Sequence, residues 1–135
     1  MRFISQKITI IKVRKPVERT INQQLQWLGS SLGLFNLRDK NKSCFRIFIE
    51  LLRATKAGRQ LTSDQIAANL SLSRGTVIHH INTLTNAGLI IHEGNKYILR
   101  VNDLSELIGE LEKDIDRTLS DLKEAAQNID SRLNK

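Results

Sequence analysis

Residues 61–100 read LTSDQIAANLSLSRGTVIHHINTLTNAGLIIHEGNKYILR, and this stretch decides the fold. Its first part predicts a helix that begins at Thr62, because Thr62 and Gln65 form a capping-box pair. The helix should break at Ser71, and Leu72 would then fill the angle between this helix and the next. Ser73 is a good N-cap for that second helix. The stretch therefore predicts two helices joined by a tight turn.

The second helix is predicted from about Arg74 to Ala87. Apolar residues at helical spacing give it an inward stripe: Val77, Ile81 and Leu84. Its opposite flank is polar and carries no acidic residue. Gly88 can adopt the left-handed backbone conformation that commonly ends a helix. Two apolar runs around Gly94-Asn95 then predict a hairpin, which we interpret as a wing. The fold class expected is mainly α with a small β-hairpin (α+β): a winged helix-turn-helix followed by a long C-terminal helix.

The run SLSRGTVIHHINTLTNAGLI resembles the recognition region of ArsR-like winged-helix transcription regulators. That family's pattern is Ser-x-x-Thr-Val-x-x-His-hydrophobic followed by Ala-Gly-Leu. The matching residues here are Ser73, Thr76, Val77, His80, Ile81, Ala87, Gly88 and Leu89. The resemblance covers residues 61–101 and implies DNA contacts by Ser73, Arg74, Thr76 and His79. The chain departs from the family in two ways, because it lacks the Cys-x-Cys pair of the metal sensors and has Ser71 at the usual turn glycine.

The polar flank of the second helix supplies most of the candidate DNA contacts. Arg74 is the candidate for reading a guanine edge, and Asn82 could read adenine only if it faces the groove. Ser73 and Thr76 are expected to bind phosphate, and the basic loop before the core helix is expected to add backbone contacts. The predicted DNA-binding residues are Ser73, Arg74, Gly75, Thr76, His79, Asn82, Thr83, Lys96, Arg38, Lys40 and Lys42.

Charge is unevenly distributed along the 135 residues, whose formal net charge is +7. Residues 1–60 hold 13 Lys/Arg against 3 Asp/Glu, a net charge of +10, whereas residues 61–101 hold +1 and residues 102–135 hold −4. Residues 61–101, which contain the predicted helix-turn-helix, are thus almost neutral. Attraction for phosphate must therefore come largely from the N-terminal half. The acidic C-terminal part should point away from DNA. The alternative is that the basic residues only coat a solvated surface.

Two elements are predicted in residues 1–35. Met1 to Lys15 is rich in Ile, Val and Thr and predicts a strand that pairs with the wing or with a partner chain. Val17 to Leu34 predicts an amphipathic helix with Pro16 near its first turn. Gly29 and Gly33 should weaken the end of that helix.

The next segment, residues 36–101, is predicted to be the DNA-binding domain. Ser43 is expected to cap a helix from about Cys44 to Thr55 that is apolar on nearly every side and therefore belongs in the middle of the core. Cys44 is the only cysteine, and we expect a buried small hydrophobe rather than a redox-sensing thiol. Neighbouring His79 and His80 point about 100° apart on a helix and chelate poorly. The sequence predicts no metal site and no cofactor.

Residues 102–135 predict one long helix, capped by Asn102 or Asp103 and running to about Leu133. Apolar or small positions alternate steps of four and three: Leu104, Ile108, Leu111, Ile115, Thr118, Leu122, Ala125 and Ile129. A small domain cannot cover so long a stripe, so we expect a homodimer; the alternative is a monomer that folds the helix back. The predicted dimer contacts are Leu104, Ile108, Leu111, Ile115, Leu122 and Ile129.

These patterns favour one function class. No nucleophile–base arrangement, paired carboxylates in an apolar setting or phosphate-cradling glycine loop is present, which argues against an enzyme. No run is long enough to span a bilayer, and Lys7 and Lys12 interrupt the apolar N-terminus, so we expect a cytoplasmic protein without a membrane partner. The sequence predicts a homodimeric, sequence-specific double-stranded DNA-binding transcription regulator with the helix from about Arg74 to Ala87 in the major groove. The alternative is a winged-helix protein-interaction or assembly module.

Overall fold

The computed structural model describes residues 5–135. Five helices and three short strands follow one another in this order: α1 (Ile21–Ser31), α2 (Ser43–Lys56), β1 (Leu61–Thr62), α3 (Ser63–Leu70), α4 (Arg74–Asn86), β2 (Ile90–Glu93), β3 (Lys96–Leu99) and α5 (Leu104–Leu133). The expected mainly helical winged helix-turn-helix with a long C-terminal helix is confirmed. None of the helices in this described part of the chain has both the length and the apolar character that crossing a membrane requires.

The core is built around α2, as its apolar sequence predicts. Ile47, Phe48 and Leu51 have no exposed surface, and they lie among the inward residues of α3, α4 and the hairpin. The start of α2 differs from the prediction, because Ser43 is the first helical residue and not the cap. The N-cap is Lys42, in a left-handed conformation with φ of 54° and no side-chain capping bond. A carboxylate from the preceding loop binds the free amides instead.

The helix-turn-helix forms as its caps predict. Thr62 and Gln65 make the complete capping box at the start of α3, and Ser73 Oγ accepts the amide of Thr76 at the start of α4. Ser71 adopts the left-handed conformation, with φ of 55° and ψ of 46°, that the turn needs in place of the usual glycine. Leu72 is half-buried against the core, in the angle between the two helices.

The wing is a hairpin with a two-residue turn at Gly94-Asn95, as predicted. A third strand was missed: β1 pairs antiparallel with β3, so the sheet order is β1-β3-β2. Two residues are too few to give a periodic signal, and β1 forms only because the capped start of α3 lies beside the hairpin. Ile90 and Leu99 pair across the hairpin and point into the core.

In the described part of the chain, the predicted N-terminal strand does not form within the subunit, so its pairing with the wing is wrong. Residues 5–15 contain no strand, and β1 takes the place beside the wing that this segment was expected to fill. Met1 to Ile4 lie outside the described residues. The segment is instead held by scattered hydrogen bonds, which include those from the Lys7 amide to the Asn86 carbonyl and from the Ile11 amide to the Ser31 carbonyl.

Helix α1 is shorter than predicted and does not start near Pro16. Thr20 is its N-cap and accepts the amide of Gln23, so Ile21 is the first helical residue, and its side chain is 78% exposed. The helix ends at Ser31, before Gly33 with its φ of +73°, and Gly29 in its last turn makes a close contact. An added Cβ there would come within 2.6 Å of the Phe45 ring, so the missing side chain lets α1 lie directly on α2.

Helix α5 begins after Asp103, whose carboxylate accepts the Glu106 amide, and it runs to Leu133 as predicted. Only its first half contacts the domain, through the buried side chains Leu107, Leu111 and Asp114. Leu111 is 3% exposed inside its own subunit, which corrects its assignment as a contact to a second chain. Leu104 also packs partly against the core.

Candidate nucleic-acid interface

One flank of α4 is available to a ligand because the other is fully used in the core. Val77 and Leu84 have no exposed surface and Ile81 has 2%. The remaining polar positions lie on the outside: Arg74, Gly75, His79, Asn82 and Thr83 are exposed, and Thr76 is half-buried. Nothing lies within 4 Å of a Cβ added at Gly75, so the start of this flank is open.

Hydroxyl groups along the polar flank of α4 form hydrogen bonds within the helix and its cap. Ser73 Oγ accepts the Thr76 amide at 3.1 Å and lies 2.8 Å from Thr76 Oγ1. Thr83 Oγ1 donates to the His79 carbonyl at 3.2 Å. A donation from Ser73 to Thr76 leaves the Thr76 hydroxyl proton free to face outward. Ser73 thus acts first as a cap, and Thr76 is the better placed of the two hydroxyls for a ligand.

Arg74 projects from the first turn of α4. Its side chain is 75% exposed, and its Nε lies 3.8 Å from the Asp64 carboxylate, which is 77% exposed. An exposed ion pair at this distance contributes little, because solvent screens the charges. The guanidinium can therefore leave Asp64 for another acceptor at small cost.

The loop before α2 is joined to α4 by Asp39, which the sequence analysis did not single out. Its two carboxylate oxygens accept the Ser43 and Cys44 amides, each at 2.9 Å. Its Oδ2 also lies 3.7 Å from His80 Nε2. The loop and α4 are thus held side by side, with the α2 N-terminus between them.

A groove of about 720 Å³ lies between this loop and α4. Two predicted loop contacts, Arg38 and Lys40, line it together with four predicted helix contacts: Gly75, Thr76, His79 and Thr83. The fold therefore brings together six residues that the sequence placed in two separate segments. Arg38 and Lys40 are both exposed, so the groove has a cationic rim.

Other predicted contacts lie elsewhere. Lys42 stands over the Phe35 ring, with Nζ 5.7 Å from its centroid. Lys96 is on the wing, opposite Glu93 in the hairpin, so the cation there has an acidic neighbour. Asn82 is exposed on α4, outside the lining of the groove. The wing extends only four residues along each strand.

Burial and close contacts shift the pKa values of three titratable groups that line the groove: Asp39, Cys44 and His80. Burial raises the pKa of Asp39, but the amides of Cys44 and Ser43 and the nearby His80 outweigh it, so that the pKa is lowered overall. Burial lowers the pKa of His80 below its ordinary 6.5, and the neighbouring His79 lowers it further. The negative charge of Asp39 raises the pKa of His80, but the lowering effects are larger. Burial, with a contribution from Asp39, raises the pKa of the Cys44 thiol to about 11, so the buried-hydrophobe interpretation of Cys44 fits its surroundings.

The two neighbouring histidines on α4 have different surroundings. Their ring centroids are 5.1 Å apart and their planes are inclined by 59°. His79 is exposed, whereas the His80 side chain is 13% exposed beside Asp39. Within residues 5–135, no three His, Cys, Asp or Glu side chains come together as possible metal ligands.

Comparison with protein families covers the central part of this geometry. The order of α3, α4 and the hairpin, with an exposed polar flank on α4, is that of a winged helix-turn-helix domain. Residues 49–92, from the second half of α2 to β2, match the family described as "Bacterial regulatory protein, arsR family". These residues are thus similar to an ArsR-family regulator domain, and this similarity supports a role in DNA-binding transcription regulation. Searches of curated proteins and of solved structures found no match.

The low pKa of His80 predicts a dependence of stability on pH. Because unfolded His80 takes up a proton at a higher pH than folded His80, this residue's contribution is complete above about pH 6.5 and is lost as the pH falls through the folded pKa. Between about pH 7.5 and about pH 5, the free energy of unfolding should fall, and the fall should be smaller in His80→Gln. Urea titrations at several pH values measure this, with His92→Gln on the wing as the matched control. An equal pH dependence in native protein and His80→Gln would contradict it.

Proposed function

We propose that this protein is a homodimeric transcription regulator that binds specific sequences in double-stranded DNA, with α4 in the major groove. The observation that carries the proposal is the division of α4 into a fully buried apolar flank and an open polar flank inside the segment that matches the regulator family. A helix exposed in this way fits the width of the major groove and offers side chains to base edges. The match to a regulator domain also favours a non-enzymatic role, exercised in the cytoplasm where the DNA lies.

Attraction for the DNA backbone would come from cations outside α4. The loop at the groove rim offers Arg38 and Lys40. The N-terminal segment, bound beside the end of α4, adds a group of cations that share exposure to solvent: Lys7, Lys12, Arg14, Lys15 and Arg19. Counterions released by such groups give binding that weakens steeply as salt increases. The near-neutral α4 would then supply selectivity, and its surroundings would supply affinity.

Pairing of two subunits would use the second half of α5. From Asp116 onward every side chain of this helix is exposed. The apolar side chains Leu119, Leu122 and Ile129 are 47%, 59% and 56% exposed. Fully burying such a side chain contributes about 1.5–3 kcal/mol, so a second copy of the same helix is a suitable cover. Two-fold symmetry would then require DNA half-sites arranged as an inverted repeat.

A second candidate function is a winged-helix interaction or assembly module without sequence-specific DNA binding. The net charge of only +1 over residues 61–101 and the apolar stripe on α5 favour it. Fluorescence anisotropy on random duplex separates the two functions. Binding that fades steeply with salt supports DNA recognition, and no binding even at low salt supports assembly.

Replacing Arg74 tests the recognition helix. Arg74→Ala should weaken binding to an operator selected from a random DNA pool and relax the preference at one base pair by about 1–3 kcal/mol. Anisotropy titrations on the operator and its single-base variants measure this change. Asp64→Ala is the matched control, because it removes the ion pair of Arg74 but leaves the guanidinium. Unchanged binding by Arg74→Ala would show that α4 is not the reading element.

Replacing Lys40 tests the backbone contacts. Lys40→Ala should weaken binding by a similar factor on all sequences and reduce the slope of log affinity against log salt by about 1. Lys123→Ala, which removes the same charge from the exposed far half of α5, is the control and should leave the slope unchanged. A loss that varies between DNA sequences would instead make Lys40 a base-reading residue.

Replacing Leu122 tests the pairing of α5. Leu122→Glu removes two buried leucines per dimer, so the dimer dissociation constant should rise by at least about tenfold. Analytical ultracentrifugation measures the constant, and circular dichroism should show an intact domain because Leu122 lies beyond the core. Gln127→Glu, on the opposite flank of α5, is the matched control. If native protein is a monomer at all accessible concentrations, homodimerisation is disproved.

A further inference from the structure

We propose that Gln6, Arg100 and Asp114, here called the junction, are positioning residues that set the angle between the recognition helix α4 and α5. The inference rests on the proposed function, because this angle would determine how a dimer presents its two recognition helices to DNA. Three segments meet at the junction: the N-terminal segment, the residue after the wing and the inner face of α5.

Asp114 is an unusual residue to find on the inner face of α5. It is 4% exposed and follows the apolar residues Leu107 and Leu111 on the same face. Arg100 donates to both of its oxygens, at 2.5 Å and 3.2 Å, and Gln6 Nε2 donates to Oδ2 at 2.9 Å. Arg117 adds a further bond from one turn along α5. A buried carboxylate is tolerated only when it is paired and hydrogen-bonded in this way.

The same donors also bind the C-terminal end of α4. Gln6 Nε2 lies 3.1 Å from the Ala87 carbonyl oxygen as well as bonding to Asp114, and the Lys7 amide donates to the Asn86 carbonyl at 3.0 Å. Arg100 Nη1 lies 3.5 Å from the Gly88 carbonyl oxygen. The carbonyls of Ala87 and Gly88, at the end of α4, are therefore linked to α5 through the side chains of Gln6 and Arg100.

Gly88 makes this approach possible. Its φ of +81° is a conformation that side chains disfavour, and an added Cβ would lie 2.2 Å from Gln6 Nε2. The glycine that ends α4 thus also makes room for the amide that bridges α4 and α5. In the Ala87-Gly88-Leu89 run, which resembles the family pattern, Gly88 therefore both ends α4 and leaves space for the Gln6 side chain.

Because Asp114 lies where α5 leaves the domain, a small change of angle at the junction moves the far end of the helix by a larger distance. Asp114 is the last buried residue of the helix, and from Asp116 onward all side chains are exposed. The 18 residues from Asp116 to Leu133 extend roughly 27 Å at 1.5 Å per residue. A tilt of roughly 10° at the junction would move the far end by about 5 Å, more than the spacing of one base pair at about 3.4 Å.

Directional bonds are needed to hold such an angle. Leu107 and Leu111 attach α5 to the core, but apolar burial has no preferred direction. The bonds from Arg100 to both carboxylate oxygens constrain position and orientation together. The leucines therefore attach α5, and the junction orients it.

The first test measures the angle directly and needs neither DNA nor dimerisation. Nitroxide labels are placed by Asn82→Cys and Lys123→Cys in a Cys44→Ala background, and labelled full chain is diluted with unlabelled chain so that only distances within one subunit are recorded. Pulsed electron paramagnetic resonance should give a narrow distribution of the distance between the two labels. Gln6→Ala and Asp114→Asn should each increase the width of this distribution at least twofold. Glu112→Ala, which removes an exposed side chain of α5 two residues before Asp114, is the control and should remain narrow.

The second test measures the consequence on DNA. Native protein should prefer one half-site separation at least tenfold among duplexes that differ by single base pairs. Gln6→Ala should reduce this preference to about threefold or less while keeping single half-site affinity within twofold, because Gln6 carries no charge.

Unchanged widths in Gln6→Ala and Asp114→Asn would overturn the inference, and Gln6→Ala decides alone if Asp114→Asn does not fold. Broadened widths with an unchanged spacing preference would overturn the link to DNA geometry. Broadened widths in a protein that binds no DNA would support the junction and reject the proposed function.

Discussion

The packing of α2 against the inward stripe of α4 is the contact on which the rest of the structure depends. Phe48, Ile47 and Leu51 are completely buried, and so are Val77 and Leu84 on the facing helix. Truncating a large residue in such a contact costs about 2–5 kcal/mol, a large share of the roughly 5–15 kcal/mol that stabilises a domain. Because one flank of α4 is committed to this contact, its polar flank must face solvent. Stability and access to a ligand thus have the same physical origin.

Polar contacts decide where the less regular segments lie on this core. Asp39 uses both carboxylate oxygens on the amides of Ser43 and Cys44, and this brings Arg38 and Lys40 beside α4. Two of the cations in the first sixty residues, which together carry a net charge of +10, thereby lie beside the open flank of α4. The same carboxylate faces His80 across a desolvated contact. Asp39 and His80 thus connect the loop to α4, and the pKa of each depends on burial and on the other group.

The charges of α5 are arranged differently from the simple picture of an acidic tail. Its acids are concentrated in the first half, where Asp103 caps the helix and Glu110 and Asp114 pair with Arg100. Residues 116–135 contain four acids and four bases, so the protruding half is neutral and carries an apolar stripe. The net charge of −4 over residues 102–135 therefore belongs to the attachment of α5 and not to its free end. The charged first half of α5 thus lies on the domain, and its neutral second half exposes apolar side chains.

Local signals in the sequence were sufficient to determine the helix-turn-helix. The capping box at Thr62, the cap at Ser73 and the stripe of α4 act over a few residues, where the chain has few alternative conformations. These signals also determined the hairpin turn and the start of α5 at Asp103. The candidate site was predictable as a set of residue types on one flank of α4. Its division between base-reading and phosphate-binding residues stays a prediction.

Contacts between distant segments were decided only by the tertiary structure. The sequence placed a strand at the N-terminus and Leu111 in a subunit interface; the structure has an irregular segment bonded to the end of α4 and a leucine in the core. Gln6 reaches Ala87 and Asp114 across 81 and 108 positions of the chain. No local pattern encodes such a pairing, because the free energy of a buried charge depends on which donors the completed fold brings to it.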